Sequence, residues 1–214
     1  MDQEVEIISS ETRKEKIKNF FINNKKKIIS IVICFFLILF SFFFYQEYEE
    51  KNKERLANKY NAAIIEYESG EKSNILNSMK DIIEYKDKTY SPLAFYYLLD
   101  NDLITSKEET NKYFDILINE IALDSENKNL TIFKKGLFNS DFANEDELLN
   151  ILNPVIKSES IWKPHALYLM AEYYFAKKEK KKSKEFFEQL ISLKNISEKI
   201  RLEAQKRLRS DFSE

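Results

Sequence analysis

Residues 167–190, LYLMAEYYFAKKEKKKSKEFFEQL, decide the fold. Apolar side chains fall at Leu167, Met170, Ala171 and Tyr174, and again at Phe187 and Leu190 beyond a lysine-rich break. Steps of three and four residues put each set on one face of a helix, so the stretch reads as two short helices joined by a turn. The lysine run Lys177–Lys184 is taken as that solvated turn rather than an anion site. A hairpin of this size cannot cover its apolar face alone and needs neighbours of its own kind.

The neighbours are found by register. Ala63, Leu98, Gly136 and Ala171 align at separations of 35, 38 and 35 residues. Sixteen positions further on the same register reads Met79, Phe114, Leu152 and Phe187, and three beyond those Ile82, Leu117, Val155 and Leu190. Each unit thus offers a first helix with a mostly small residue, where a partner can approach closely, and a second helix bearing large side chains. Start signals agree: Ser73 stands before the stripe Ile75, Leu76, Met79, Ile82, Ile83, and Ser91-Pro92 supplies a cap and then a proline in the first turn ahead of Leu93–Leu99. Ser106–Glu109 and Asn144–Glu147 have capping-box spacing, Pro164 opens His165–Lys177, and Ser197 precedes Glu198–Ser210. In that last helix Ala204 and Leu208 read as inward and Arg201, Lys206, Arg207 and Arg209 as outward, which suits a terminal cap. Two residues break the pattern: Leu98 is large, and Pro154 is expected to break or kink the helix that carries Leu152 and Val155.

Composition removes other possibilities. The 214 residues include 2 Gly, 3 Pro, 1 Cys and 1 His. Average usage would give roughly 15 Gly and 11 Pro, so glycine-rich phosphate loops and hairpin-rich β folds are excluded. One Cys and one His assemble neither the usual zinc site nor a disulfide, and no cofactor or metal site is expected. Strand-like alternation between turn signals is absent, and the fold class is all-α.

The longest feature is Ile28–Tyr45, IISIVICFFLILFSFFFY, without a charged residue. A helix of that length spans about 27 Å, close to the roughly 30 Å of a bilayer's hydrocarbon core, and it reads as a transmembrane helix. A cleaved signal peptide would have a shorter apolar run and a small-residue cleavage site, whereas this run ends Phe-Phe-Phe-Tyr-Gln-Glu. Residues 1–27 carry 7 basic and 5 acidic side chains, with Arg13, Lys14, Lys16, Lys18 and Lys25-Lys26-Lys27 ahead of the run and Glu47, Glu49 and Glu50 behind it. The positive-inside rule then leaves the N-terminus in the cytoplasm and residues 46–214 on the far side. Four segments follow: a basic arm 1–27, the span 28–45, a polar helical stalk 46–60 and a repeat domain 61–214. Ile17, Phe20 and Phe21 allow an amphipathic turn at the headgroups, with a plain solvated basic flank as the alternative. Cys34 is read as a packing residue, and the Asn129 and Asn195 sequons as chance in an asparagine-rich chain. A net charge of −4 beyond the span offers no basic face for nucleic acid.

The motif Leu167-x2-Met170-Ala171-x2-Tyr174 with Ser183-x3-Phe187-x2-Leu190 is similar to a degenerate tetratricopeptide repeat, Leu167 standing for the usual Trp and Ser183 for the usual Ala. The whole arrangement reads as an N-terminal transmembrane helix followed by an α-solenoid of about four degenerate tetratricopeptide-like hairpins plus a capping helix. Leu149–Ala171, LNILNPVIKSESIWKPHALYLMA, and Ile200-Arg201-Leu202-x-Ala204 resemble the carboxyl half of the bacterial tetratricopeptide-like family of ancillary Sec-translocon subunits. The resemblance implies a single-pass inner-membrane protein with a periplasmic repeat domain. Its partners would be Sec translocon subunits, periplasmic chaperones and emerging client proteins, and it would not be an enzyme and would use no small-molecule substrate.

In related repeats the first helix of each unit lines the partner groove. Carried over by register, the groove residues here are Phe95, Leu99, His165, Tyr168, Glu172 and Phe175, with packing between repeats as the competing role for Tyr168 and Phe175. Trp162 is assigned to hinge packing, and the acidic groups Glu47/Glu49/Glu50, Glu108/Glu109 and Glu145/Asp146/Glu147 to solvated faces and helix starts. His165 has no nucleophile or orienting acid at a telling spacing, so a membrane-bound hydrolase is the last of three readings. The second is a self-associating cell-envelope assembly or division scaffold, with the repeats as a homo-oligomer interface.

Overall fold

The computed structural model describes residues 14–16, 18–70 and 74–212. Arg13, Ile17 and Ser73 lie outside them. The helices are α1 (Lys25–Glu68), α2 (Ile75–Glu84), α3 (Tyr90–Asp100), α4 (Lys107–Asn119), α5 (Ser125–Asn139), α6 (Glu145–Ile156), α7 (Lys163–Ala176), α8 (Lys180–Ile191) and α9 (Glu198–Asp211). Residues 18–23, ahead of α1, are helical as well, with Phe20 and Phe21 exposed. No strand occurs among the described residues.

The chain divides into two compact units, residues 1–58 and 59–214. The first is dominated by α1, whose 44 residues contain neither Gly nor Pro and extend for about 66 Å. Its most apolar window has a mean hydropathy of 2.8, and none of it is buried. Among the described residues α1 is the helix long and apolar enough to cross a membrane. The helix continues past the apolar run without a break.

In the second unit every position of the repeat register is buried: Ala63, Leu98, Gly136 and Ala171 on the first helices, and all eight partners from Met79 to Leu190 on the second. The helix pairs differ in how near they come. At Gly136 a Cβ would lie 2.4 Å from Leu152 Cδ2, so α6 rests its leucine on the bare backbone of α5. Behind Ala171, α7 and α8 form the most intimate pair, and the buried Ser183 hydroxyl donates to the Ala171 carbonyl at 2.8 Å. That bond satisfies the polar atom that a serine brings to an alanine position. At Leu98 the backbones of α3 and α4 stay further apart, and rings fill the space, Phe95 meeting Phe114 edge-on at 4.7 Å. The first unit is the loosest. The end of α1 reaches α3 through side chains instead, Tyr60 against Tyr90 and Tyr97 and Tyr67 against Tyr97.

Helix α7 is apolar on nearly every side because it serves two cores. Ala166, Met170, Tyr173 and Tyr174 face one, with Ile132, Leu148, Leu152 and Val155. Leu167 and Ala171 face the other, with Phe187, Leu190 and Ala204. Burial and the Glu145 carboxylate, which accepts from the phenol at 2.9 Å, push the Tyr174 pKa up to about 12.

Several local expectations need correction. Ser91 does not cap α3. It lies inside the helix and donates to the Ile82 carbonyl at 2.7 Å, while Asp87 Oδ1 accepts from the Thr89 and Tyr90 amides. Pro154 neither breaks nor ends α6. It comes two residues before Ile156, and the ladder resumes with the Lys157 amide on the Asn153 carbonyl. Only two helical residues follow it, so little of α6 lies beyond the ladder bond that the proline forfeits. Arg201 and Arg207 do not point outward: Arg201 donates to the Ile191 and Leu193 carbonyls at the end of α8, and Arg207 is tied to Glu172. The Asn144–Glu147 capping box is complete, whereas at Ser106 the side chain caps Glu109 N and the Glu109 carboxylate turns to Lys80 and Tyr113.

With so few glycines, left-handed helix ends fall to other residues. Gly70 (φ 101°) follows α1, but Lys86, Asp102 and Lys178 take φ of 61°, 52° and 64° after α2, α3 and α7. After α3 and α7 the turn closes by two bonds, Leu103 N to Leu98 O with Asp102 N to Leu99 O, and Glu179 N to Tyr174 O with Lys178 N to Phe175 O. Lys178→Gly is therefore expected to raise stability by about 0.5–1 kcal/mol, the relief of left-handed strain outweighing glycine's unfolded-state entropy. Chemical denaturation of the full chain in detergent reads it. Gly136→Ala is expected to cost about 1–2 kcal/mol, overpacking against Leu152 exceeding the gain in helix propensity. In the same assay a Gly136→Ala/Leu152→Ala pair should cost clearly less than the two single changes added, and strict additivity would contradict the contact.

Candidate functional site

One cleft lies between α3 and α5 and a second is bounded by α5, α7 and α9; a further depression, lined by Ser140, Asp141, Tyr173 and Lys177 among others, adjoins the second and shares Leu169 and Glu172 with it. The cleft between α3 and α5, about 340 Å³, is lined by Lys88, Pro92, Leu93, Tyr96, Leu130 and Thr131 among others. Thr131 donates to the Asn127 carbonyl, so the Tyr96 hydroxyl is the donor in its 2.9 Å bond to Thr131 Oγ1. Lys134 lies 3.9 Å from the centre of the Tyr96 ring.

The second cleft, about 320 Å³, is the more apolar of the two. Phe133 and Leu137 come from α5, His165, Tyr168, Leu169 and Glu172 from α7, and Ile200 and Glu203 from α9. His165, Tyr168 and Glu172 of the expected groove are thus brought together at one place. His165 is packed by rings, 5.7 Å from Phe133 and 5.2 Å from Trp162, and its Nδ1 is buried without a hydrogen-bond partner among the described residues. Trp162 also stacks on Phe133 at 5.8 Å, which makes it a packing residue at the start of α7.

Glu172 lines the cleft, but Arg207 already occupies its carboxylate: Nε donates to Oε1 and Nη2 to Oε2, each at 2.8 Å. Arg207 also bonds Asp211 and covers Phe175, its guanidinium 4.4 Å from the ring centre. Burial first, and then the charges of Glu172 and Glu203, raise the Tyr168 pKa and keep the phenol neutral. Tyr168 meets Phe187 edge-on at 5.6 Å, so it both packs and lines.

The other expected groove residues are placed differently. Phe95 is fully buried against Phe114 and Tyr113 and presents nothing to a partner, because it fills the space that Leu98 props open. Phe175 packs on Phe212 beneath Arg207, and Leu99 is half-buried on α3, outside both clefts. Missed were Phe133, Leu137, Leu169, Ile200 and Glu203. The signal for two of them was at hand: Phe133 and Leu137 stand at the same offsets from Gly136 as Tyr168 and Glu172 do from Ala171.

The Arg207–Glu172 pair is a partly exposed clamp of α9 onto α7. Arg207→Ala is expected to cost about 1–2 kcal/mol after allowance for solvent screening, since it also uncovers Phe175. Hydrogen exchange should then quicken in α9 and leave α5 and α6 protected. Uniform loss of protection would show that the pair does not act locally.

In comparison with known families, a tetratricopeptide repeat-like domain is found at residues 18–110, which takes in the apolar helix, the first unit, all of α3 and the first turn of α4. No curated protein and no solved structure matches the chain. The matched stretch is a little under half of the 214 residues, and the second cleft lies wholly beyond it. A tetratricopeptide repeat-like domain, read with the helical pairs that continue to α9, makes the chain similar to a protein-interaction scaffold.

Proposed function

We propose that the chain is a non-enzymatic adaptor, held in a bacterial inner membrane by residues 28–45, with its repeats in the periplasm and its N-terminus in the cytoplasm. The observation that carries this reading is the apolar cleft formed by α5, α7 and α9, the kind of surface on which repeat proteins hold partner segments. The lysines before the apolar run and the glutamates after it support the orientation. The partners are proposed from the resemblance of Leu149–Ala204 to ancillary Sec subunits: the translocon itself, periplasmic chaperones and polypeptides emerging between them. The mechanism is tethering. Anchorage raises the local concentration of the repeats near the channel exit, so contacts that are weak one by one suffice together.

A photo-cross-linking residue placed at Tyr168 or Leu137 of the full-length protein in its native membrane tests the reading. Adducts with translocon subunits, chaperones or exported polypeptides, absent when the probe sits at Ile161 away from the cleft, are expected. Adducts only between copies of this chain would favour the self-associating envelope scaffold, and identical adducts from Ile161 would remove the cleft from the account.

A further inference from the structure

The charges around the second cleft do not balance, and the imbalance names the chemistry of an occupant. Its walls are mainly aliphatic and aromatic, and its two carboxylates belong to Glu172 and Glu203. Glu172 is fully engaged by Arg207, whose remaining bond goes to Asp211. Glu203 is exposed and forms no ion pair among the described residues, yet stands near enough to Tyr168 to raise its pKa. One unspent negative charge therefore sits at the lip of an apolar depression. An apolar guest alone would strip water from Glu203 and return nothing, and an acidic guest would meet like charge. A guest with a cation beside its apolar group turns the same carboxylate into a charge-assisted contact. The cleft between α3 and α5 has Lys88 at its lip instead, so the preference belongs to one cleft only.

We infer that the α5–α7–α9 cleft takes a polypeptide segment in which an apolar side chain stands next to a lysine or arginine. The apolar group enters against Leu137, Leu169 and Ile200, and the cation pairs with Glu203. This assignment rests on the adaptor reading above and gives its cleft a substrate class.

The test uses the full chain in detergent micelles and two fluorescent heptapeptides, Gly-Ser-Leu-Lys-Leu-Ser-Gly and the same peptide with Glu for Lys, followed by anisotropy. The lysine peptide is expected to bind about tenfold more tightly, the worth of one charge-assisted contact. Glu203→Gln should abolish that difference, Glu203→Lys should reverse it, and Leu137→Ser should weaken both peptides alike. Both positions are exposed, so these variants keep the fold. Equal affinity of the two peptides for the unaltered chain, or a preference that survives Glu203→Gln, overturns the inference. Should cross-linking at Tyr168 still capture partners in that case, the adaptor reading stands without it. A preference that holds while cross-linking captures nothing would keep the cleft's chemistry and remove the proposed partners.

Discussion

A two-helix unit of this size has one apolar face too many, and everything in the repeat part follows from having to hide that face against the next unit. The tightest expression of the constraint is Leu152 lying on the bare backbone at Gly136. At Gly136 and Ala171 the helices close on each other, and at Leu98 they stand apart and rings take up the slack. The first unit shows that a small register residue is not enough by itself: Ala63 is buried, yet the end of α1 meets its neighbours mainly through side chains.

The same constraint explains why α7 looks so unlike an ordinary amphipathic helix. It carries one apolar face toward α5 and α6 and another toward α8 and α9, and of its polar residues His165 and Glu172 reach the cleft while Lys163 pairs with Glu159. Ser183 and Ser91 show how such a packed array tolerates hydroxyls: each donates to a carbonyl of a neighbouring helix and so stays buried without an unmet bond.

The all-helical class and the register were legible because they rest on periodicity, and the apolar span because it is one unbroken run without charge; a single chain displays both openly. Helix beginnings were legible where a side chain caps the backbone locally, as at Asn144 and Ser197, and misread at Ser91, whose hydroxyl prefers a partner nine residues back in the preceding helix. Pro154 was expected to break or kink its helix; α6 does not break there and runs on to Ile156, because helix ends are marked poorly by periodicity. Of the residues expected in a groove, His165, Tyr168 and Glu172 line one candidate cleft, whereas Phe95, at the same offset as Tyr168, is fully buried, since the width of the α3–α4 gap is a packing outcome. Arg207's grip on Glu172 joins residues 35 apart along the chain, and no local spacing announces it.

The wall that Ile200 and Glu203 give to the second cleft comes from α9, the last helix of the array. A growing polypeptide thus has no finished pocket until its synthesis has passed Glu203 and α9 has folded back onto α7. Until then the α5 and α7 sides of the cleft form an open slope without the third wall that encloses it.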